Sequence, residues 1–102
     1  MDSRLELHEV LVGILGSRNV YYQPPANVKM QYPAIRYERA SIDNLPADNL
    51  IYKQDNLYQI TVIDPNPDSR IVYRVSQLPR IRFDRHYAAD NLNHDVFTLY
   101  YK

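Results

Sequence analysis

Asp84, His86, Asp90, His94 and Asp95 fall within a span of twelve residues, and this is the densest group of metal-capable side chains in the sequence. A catalytic zinc or iron site needs two or three such ligands converging at about 2 Å, usually with a regularly spaced histidine pair on one element. Here the two histidines sit on opposite limbs of an expected hairpin at irregular spacing. Asn91, Asn93 and Asp95 fit a second role better, because Asn and Asp tolerate left-handed backbone and bond their own main chain in turns. His8-Glu9 opens a helical run as a metalloprotease helix does, but the second histidine would fall on Val12.

Other catalytic patterns fare no better. Gly13 and Gly16 are the only glycines, so no phosphate-cradling loop of the dinucleotide or P-loop type can form. Ser3 is expected to cap a helix, Ser41 lies in a strand and Ser69 at a helix start, and none stands in a nucleophile elbow. The chain has no cysteine, which excludes disulfides and thiolate metal ligands. The expectation is a non-enzyme with no catalytic, cofactor-binding or metal-binding residues.

The arginines are the remaining chemical signal. Arg70, Arg74, Arg80, Arg82 and Arg85 share one segment with only Asp84 to offset them, and Tyr73, Phe83 and Tyr87 are interleaved. Such a strip can track a phosphate backbone. Yet Arg70 and Arg74 suit one exposed helix face, and Arg80 and Arg82 alternate outward on a strand. The whole chain carries twelve basic and twelve acidic side chains, so the usual footprint of a nucleic-acid or membrane-surface binder is missing.

The elements that must position these groups follow from periodicity. Ser3-Arg4-Leu5-Glu6 fits a capping box, and Leu7, Val10, Leu11, Ile14 and Leu15 follow helical spacing up to a left-handed stop at Gly16. Residues 19–23 read as a short strand halted by Pro24-Pro25, followed by an irregular stretch over 24–33. Residues 34–42 alternate, with Ile35 and Tyr37 on one face and Arg36 and Glu38 on the other. A polar loop is expected over 44–54, then a strand over 57–64 with Tyr58, Ile60 and Val62 inward. Asn66 is the expected cap of a second helix with Pro67 at its first position and a stripe of Ile71, Val72, Val75 and Leu78. Residues 81–88 and 95–101 form a closing hairpin.

The expected fold is therefore α+β, in the order α-β-β-β-α-β-β. One domain over 1–102 holds a mainly antiparallel sheet with two helices packed on one face. The other face, rich in Arg, Gln, Thr and Tyr, is left for solvent or a neighbouring subunit. Ten tyrosines against two phenylalanines suit half-wet interfaces as well as strands. The start lacks the layout of a signal peptide, and no apolar run approaches the roughly 20 residues of a membrane span, so the chain is expected in the cytosol where it is made.

The first helix over 5–15, the strand Pro33-Ala34-Ile35-Arg36-Tyr37, the run Tyr58-Gln59-Ile60-Thr61-Val62-Ile63-Asp64 leading to Pro67, and the closing segment 92–101 together span nearly the whole chain. In this layout the chain resembles the small tail-completion proteins of long-tailed bacteriophages, also called tail terminator or head–tail joining proteins. The resemblance implies a virion structural protein that self-associates as a ring, expected to be a hexamer, at the head-proximal end of the tail. Such a ring caps the tail tube, meets the tail tube protein and the head–tail connector protein, and lets DNA pass without specific binding. The protein would be made in the bacterial host cytoplasm and reside in the virion. The resemblance carries no active-site residues. The tyrosine-rich sheet and the segments 24–33 and 44–54 are the candidate contact surfaces. Another head–tail connector or minor capsid protein shares the same broad plan. A small nucleic-acid-binding module using Arg70–Arg85 is an alternative from the residues alone, and a metal enzyme at His86 and His94 is a third reading.

Overall fold

Helical spacing, strand alternation and turn chemistry meet in a two-layer α+β fold. The computed structural model describes residues 3–46 and 52–101, with side chains described outside 43–46 and 52–55. The elements are α1 (Ser3–Leu15), β1 (Val20–Tyr22), β2 (Ala34–Pro46), β3 (Tyr52–Asp64), α2 (Arg70–Val75), β4 (Ile81–Ala89) and β5 (Leu92–Tyr101). The five strands form one sheet in the order β1-β2-β3-β5-β4. Only β1 and β2 are parallel, so the sheet is mixed but mostly antiparallel, and both helices lie on one face.

Alternation sets that face. Ile35 and Tyr37 of β2, Tyr58, Ile60 and Val62 of β3, and Phe97 and Leu99 of β5 are buried against Leu7, Leu11 and Leu15 of α1 and Ile71 and Val75 of α2. Val72 and Leu78 pack on the same core, as the expected stripe requires. Val10 departs from expectation and is 37% exposed. At about 100° per residue, Leu7, Leu11 and Leu15 centre the buried stripe of α1 on an arc that takes in Arg4 and His8 and leaves Val10 at its margin.

Gly16 ends α1 at φ +82, with its amide bonded to the Val12 carbonyl at 2.9 Å. That left-handed geometry is the one glycine adopts without strain. The second helix is shorter than its sequence pattern suggests, and its cap is Ser69 rather than Asn66. The Ser69 hydroxyl accepts from the Ile71 amide at 3.2 Å. Asn66 instead belongs to two successive side-chain turns. Its amide donates to Asp64 Oδ1 at 2.8 Å, and its own Oδ1 accepts from the Asp68 amide at 2.9 Å. Asn and Asp side chains compete with the helix ladder in this way, so the helix begins only once the Asx turns have ended.

Two further expectations need correction. Positions 44–46 and 52–54 are not loop: Asn44, Leu45 and Pro46 pair with Gln54, Lys53 and Tyr52. The antiparallel register set by the apolar parts of β2 and β3 simply continues into polar residues, because the ladder is a backbone property. The rest of the expected loop, 47–51, lies outside the described residues. In the closing hairpin, the turn is Asp90-Asn91 alone, with φ of +54 and +62, and β5 already starts at Leu92. Two consecutive residues with positive φ make the two-residue turn that matches strand twist, and Asn and Asp accept that conformation.

The extended β2–β3 ribbon has a structural consequence. β5 stops its pairing at Asn56, and β1 covers β2 only at Ile35, Arg36 and Tyr37. Beyond those points, among the described residues, β2 and β3 pair only with each other, so they project as a two-stranded arm from a molecule measuring 52 × 23 × 23 Å.

Candidate functional site

The histidines singled out by the sequence are separated by the sheet. His94 follows the alternation of Val96 and Thr98, and its ring stacks on Tyr87 at 4.6 Å. Its Nδ1 donates to the Leu92 carbonyl at 3.2 Å. His86 stands opposite Asp95 on the other face and donates from Nε2 to Asn93 Oδ1 at 3.3 Å. Asn93 in turn donates to the Asp64 and Pro65 carbonyls, so it ties β5 to the end of β3 rather than shaping the turn. Burial pushes the Asp95 carboxyl above its ordinary value, against the pull of His86 and His94. Among the described residues, no three of His, Asp and Glu come together to hold a metal ion.

The arginines likewise divide. Arg70 and Arg74 are on α2, in the helix layer, where Arg74 donates to the Ile14 carbonyl at 3.3 Å. Arg82 and Arg85 follow the helix-free side of β4, and Arg85 pairs with Asp84 at 2.9 Å and leans over the Tyr87 ring. A single strand of nucleic acid could not lie along all five, because the sheet stands between the two groups.

One polar cluster escaped the sequence reading. Arg4 and His8, one helical turn apart on α1, both reach the Tyr37 hydroxyl. His8 Nδ1 lies 2.7 Å away and Arg4 donates at 3.3 Å. Arg4 also lies over the Tyr22 ring at 4.4 Å, and the Tyr22 and Tyr37 rings meet at 4.8 Å with a tilt of 42°. With Arg4 donating to the oxygen, the hydroxyl proton is directed at Nδ1, which accepts only in neutral histidine. The electrostatics agree. Burial, then the Arg4 charge, lowers the His8 pKa, while burial raises that of Tyr37 despite Arg4. Tyr37 is 0% exposed, so its hydroxyl meets no dissolved substrate, and the cluster fastens α1 to the sheet. The available signal was the helical arc of Leu7, Leu11 and Leu15, which runs through both polar residues.

The helix-free face is also not as open as expected. Ala34, Thr61, Ile63 and Val96 on that face are buried. Segment 24–33 folds back over this end of the sheet, where the Tyr21 hydroxyl accepts from the Gln31 amide at 3.2 Å. A cleft of about 210 Å³ remains between Pro24, Val28, Met30 and Tyr32 of that segment and Arg36, Tyr87 and His94 of the sheet. The opposite end of the face stays open as a shallow cleft of about 640 Å³ over Leu57, Thr98, Tyr100 and Arg82.

What remains accessible is backbone. β4 is an edge strand of nine residues, all exposed but Ile81, with Phe83 52% and Tyr87 42% exposed. At the other edge, β1 shields three residues of β2 and Gln23 a little more, through Gln23 N to the Tyr37 carbonyl and Gln23 Oε1 to the Arg39 amide. Past Arg39 the outer edge of β2 has no strand beside it among the described residues. Unpaired edge groups of this kind are templates for pairing with another chain. Compared with known protein families and with curated proteins, the chain matches none.

Proposed function

We propose that this chain is a structural subunit of a phage virion, a tail terminator or tail-completion protein. It self-associates into a ring that caps the tail tube and joins it to the head. The observation that supports this reading is the pair of unlike sheet edges: a long exposed β4 on one side and the bare outer edge of the β2 arm on the other. A ring needs two different surfaces on each subunit that fit one another, and an isologous dimer does not. The layout of helices and strands agrees with the resemblance drawn from the sequence. The polar groups that chemistry would use are either separated by the sheet or sealed in the core.

On this reading the ring sits at the head-proximal end of the tail, touches the tail tube protein and the head–tail connector protein, and passes DNA without gripping it. The split arginines favour it over a nucleic-acid-binding module. Light scattering behind a sizing column, with the protein alone and mixed with tail tube protein, tests self-association. A closed species near six subunits is the expected result. Deletion of the gene in the phage should give tails of unregulated length or tails that fail to join heads. Normal tails on deletion, with a monomer under both solution conditions, would sink the proposal. Deletion that leaves tails normal but heads defective would assign the chain to the connector or minor capsid alternatives.

A further inference from the structure

The two bare edges carry a specific fit to one another. Ile42 stands opposite Asn56, which stands opposite Tyr101, so Ile42 belongs to the helix-bearing side of the sheet, where it is 47% exposed. Phe83 stands opposite Phe97 on that same side, packs edge-to-face on it at 5.4 Å, and is 52% exposed. These are two large apolar side chains, one on each edge, on one face.

Strand directions also agree. β2 and β5 run one way and β3 and β4 the other, so a rotation that carries one copy onto the next brings β4 beside β2 antiparallel. Residues directly opposite in an antiparallel pair share a face. With Phe83 of one copy opposite Ile42 of the next, the adjacent position sets Arg82 opposite Asp43. Arg82 is exposed and makes no ion pair among the described residues. In the register of its own arm Asp43 stands opposite Asp55. By sequence, 42–55 holds Asp43, Asp48 and Asp55 against Lys53, whereas 80–85 holds Arg80, Arg82 and Arg85 against Asp84. The arm segment is net acidic by sequence and the β4 segment net basic.

We propose that the β2 arm of one copy pairs, antiparallel and edge to edge, with Ile81–Asp84 of a second copy. Phe83 then covers Ile42, and Arg82 meets Asp43. This rests on the self-association reading and names the contact that closes the ring. Geometry permits closure. Phe83 and Tyr37 stand at one level of the sheet, and Ile42 stands four ladder positions further along, allowing for the bulge after Arg39. The stagger is about 13 Å at a rise of about 3.3 Å per residue, over a repeat of four strands (β2, β3, β5 and β4) about 19 Å wide. Strands tilted by about 35° from the ring axis absorb it, near the tilt of closed sheets. The bulge between Phe83 and Arg85 bends β4 at the point where Gln23 begins to occupy the β2 edge.

The test combines charge reversal with cross-linking. Arg82→Glu and Asp43→Lys, made singly, should each raise the concentration for half-assembly by at least about tenfold, and the two together should return it to within about threefold of the parent. Circular dichroism checks that each variant is folded. Because the chain lacks cysteine, Ile42→Cys with Phe83→Cys supplies the only thiols. Within one copy these positions are three strand spacings apart sideways and four ladder positions apart lengthwise, about 20 Å in all, beyond the reach of a disulfide. Mild oxidation should therefore give a ladder of covalent oligomers ending at the ring. A parent protein that assembles while the charge variants assemble equally well and no ladder forms overturns this contact and leaves the ring. A parent that stays monomeric, alone and with tail tube protein, and gives no ladder removes both.

Discussion

Removing one hydroxyl from Tyr58 and one from Tyr37 should move stability in opposite directions. Both rings are 0% exposed and face the same core, 6.1 Å apart between centroids. Tyr58 Oη is buried without a hydrogen-bond partner among the described residues. An unsatisfied buried hydroxyl costs about 1–3 kcal/mol of desolvation, and taking away its oxygen leaves too little space to offset that gain. Tyr58→Phe should therefore stabilise the fold by about 1 kcal/mol and raise Tm by about 4–8 °C for a domain of this size. Tyr37 Oη, in contrast, is held by His8 and Arg4. Tyr37→Phe strips His8 Nδ1 of its donor and should cost about 1–3 kcal/mol. Urea unfolding at pH 7.5, followed by far-UV circular dichroism with matched slopes, separates the two. The reasoning is refuted if both variants lower the midpoint by similar amounts, because that would mean the Tyr58 hydroxyl is solvated or bonded in solution.

The same cluster predicts how stability varies with pH. The folded His8 pKa lies below its ordinary 6.5, so the unfolded chain takes up that proton first, and stability is lost as pH falls below 6.5. His8→Gln should flatten that part of a stability–pH profile measured by urea titration. The folded Tyr37 pKa lies above its ordinary 10.0, so the unfolded phenol ionises first and stability falls as pH rises past 10, a fall that Tyr37→Phe should reduce. Asp95 has the opposite sign to His8. Its folded pKa is raised above 3.8, so its contribution is favourable below 3.8 and lost as pH climbs through the folded value, and Asp95→Asn should raise the urea midpoint at pH 7. Ser69→Ala should cost about 1 kcal/mol in the same assay, since it removes the cap of α2, with Asn66→Ala costing less. Gly16→Ala should destabilise by about 1 kcal/mol through its φ of +82 alone, because a Cβ there meets nothing within 4 Å.

The elements whose apolar residues repeat at one clear period were legible. α1, the inner faces of β2 and β3, and the packing stripe of α2 all follow from spacing, and with them the α+β layering. What spacing could not convey was any structure carried by backbone alone. The arm at 44–46 and 52–54 pairs without a regular apolar alternation, and the Asx turns around Asn66 look in sequence like a helix cap. The Arg4–His8–Tyr37 cluster was hidden for a related reason. A polar residue on a buried arc is recognised only when its partner is known, and Tyr37 is 29 positions away from His8. The arginines that a linear reading places in one strip are divided because Arg70 and Arg74 ride on α2, whereas the bulge in β4 brings Arg82 and Arg85 together on the helix-free side.

Edge strands explain why the proposed contact favours a ring over a simple pair. β4 carries two of the usual protections of an exposed edge, charge and a bulge. Pairing β4 with its own copy would bring two net basic segments, each holding Arg80, Arg82 and Arg85 against Asp84, side by side, and like charges brought together at an interface are costly. That repulsion acts only between like edges. Against the acidic arm the same arginines attract, so the residues that prevent a closed two-fold dimer leave the head-to-tail contact available. Head-to-tail contacts terminate only by closing on themselves, and a fixed stagger and tilt decide the number of copies at which they do so. Ring size on this argument is set by the twist across the four strands β2, β3, β5 and β4 and the stagger between Phe83 and Ile42. Moving the arm by two ladder positions, which keeps every residue on its own face, should change the number of subunits without abolishing assembly.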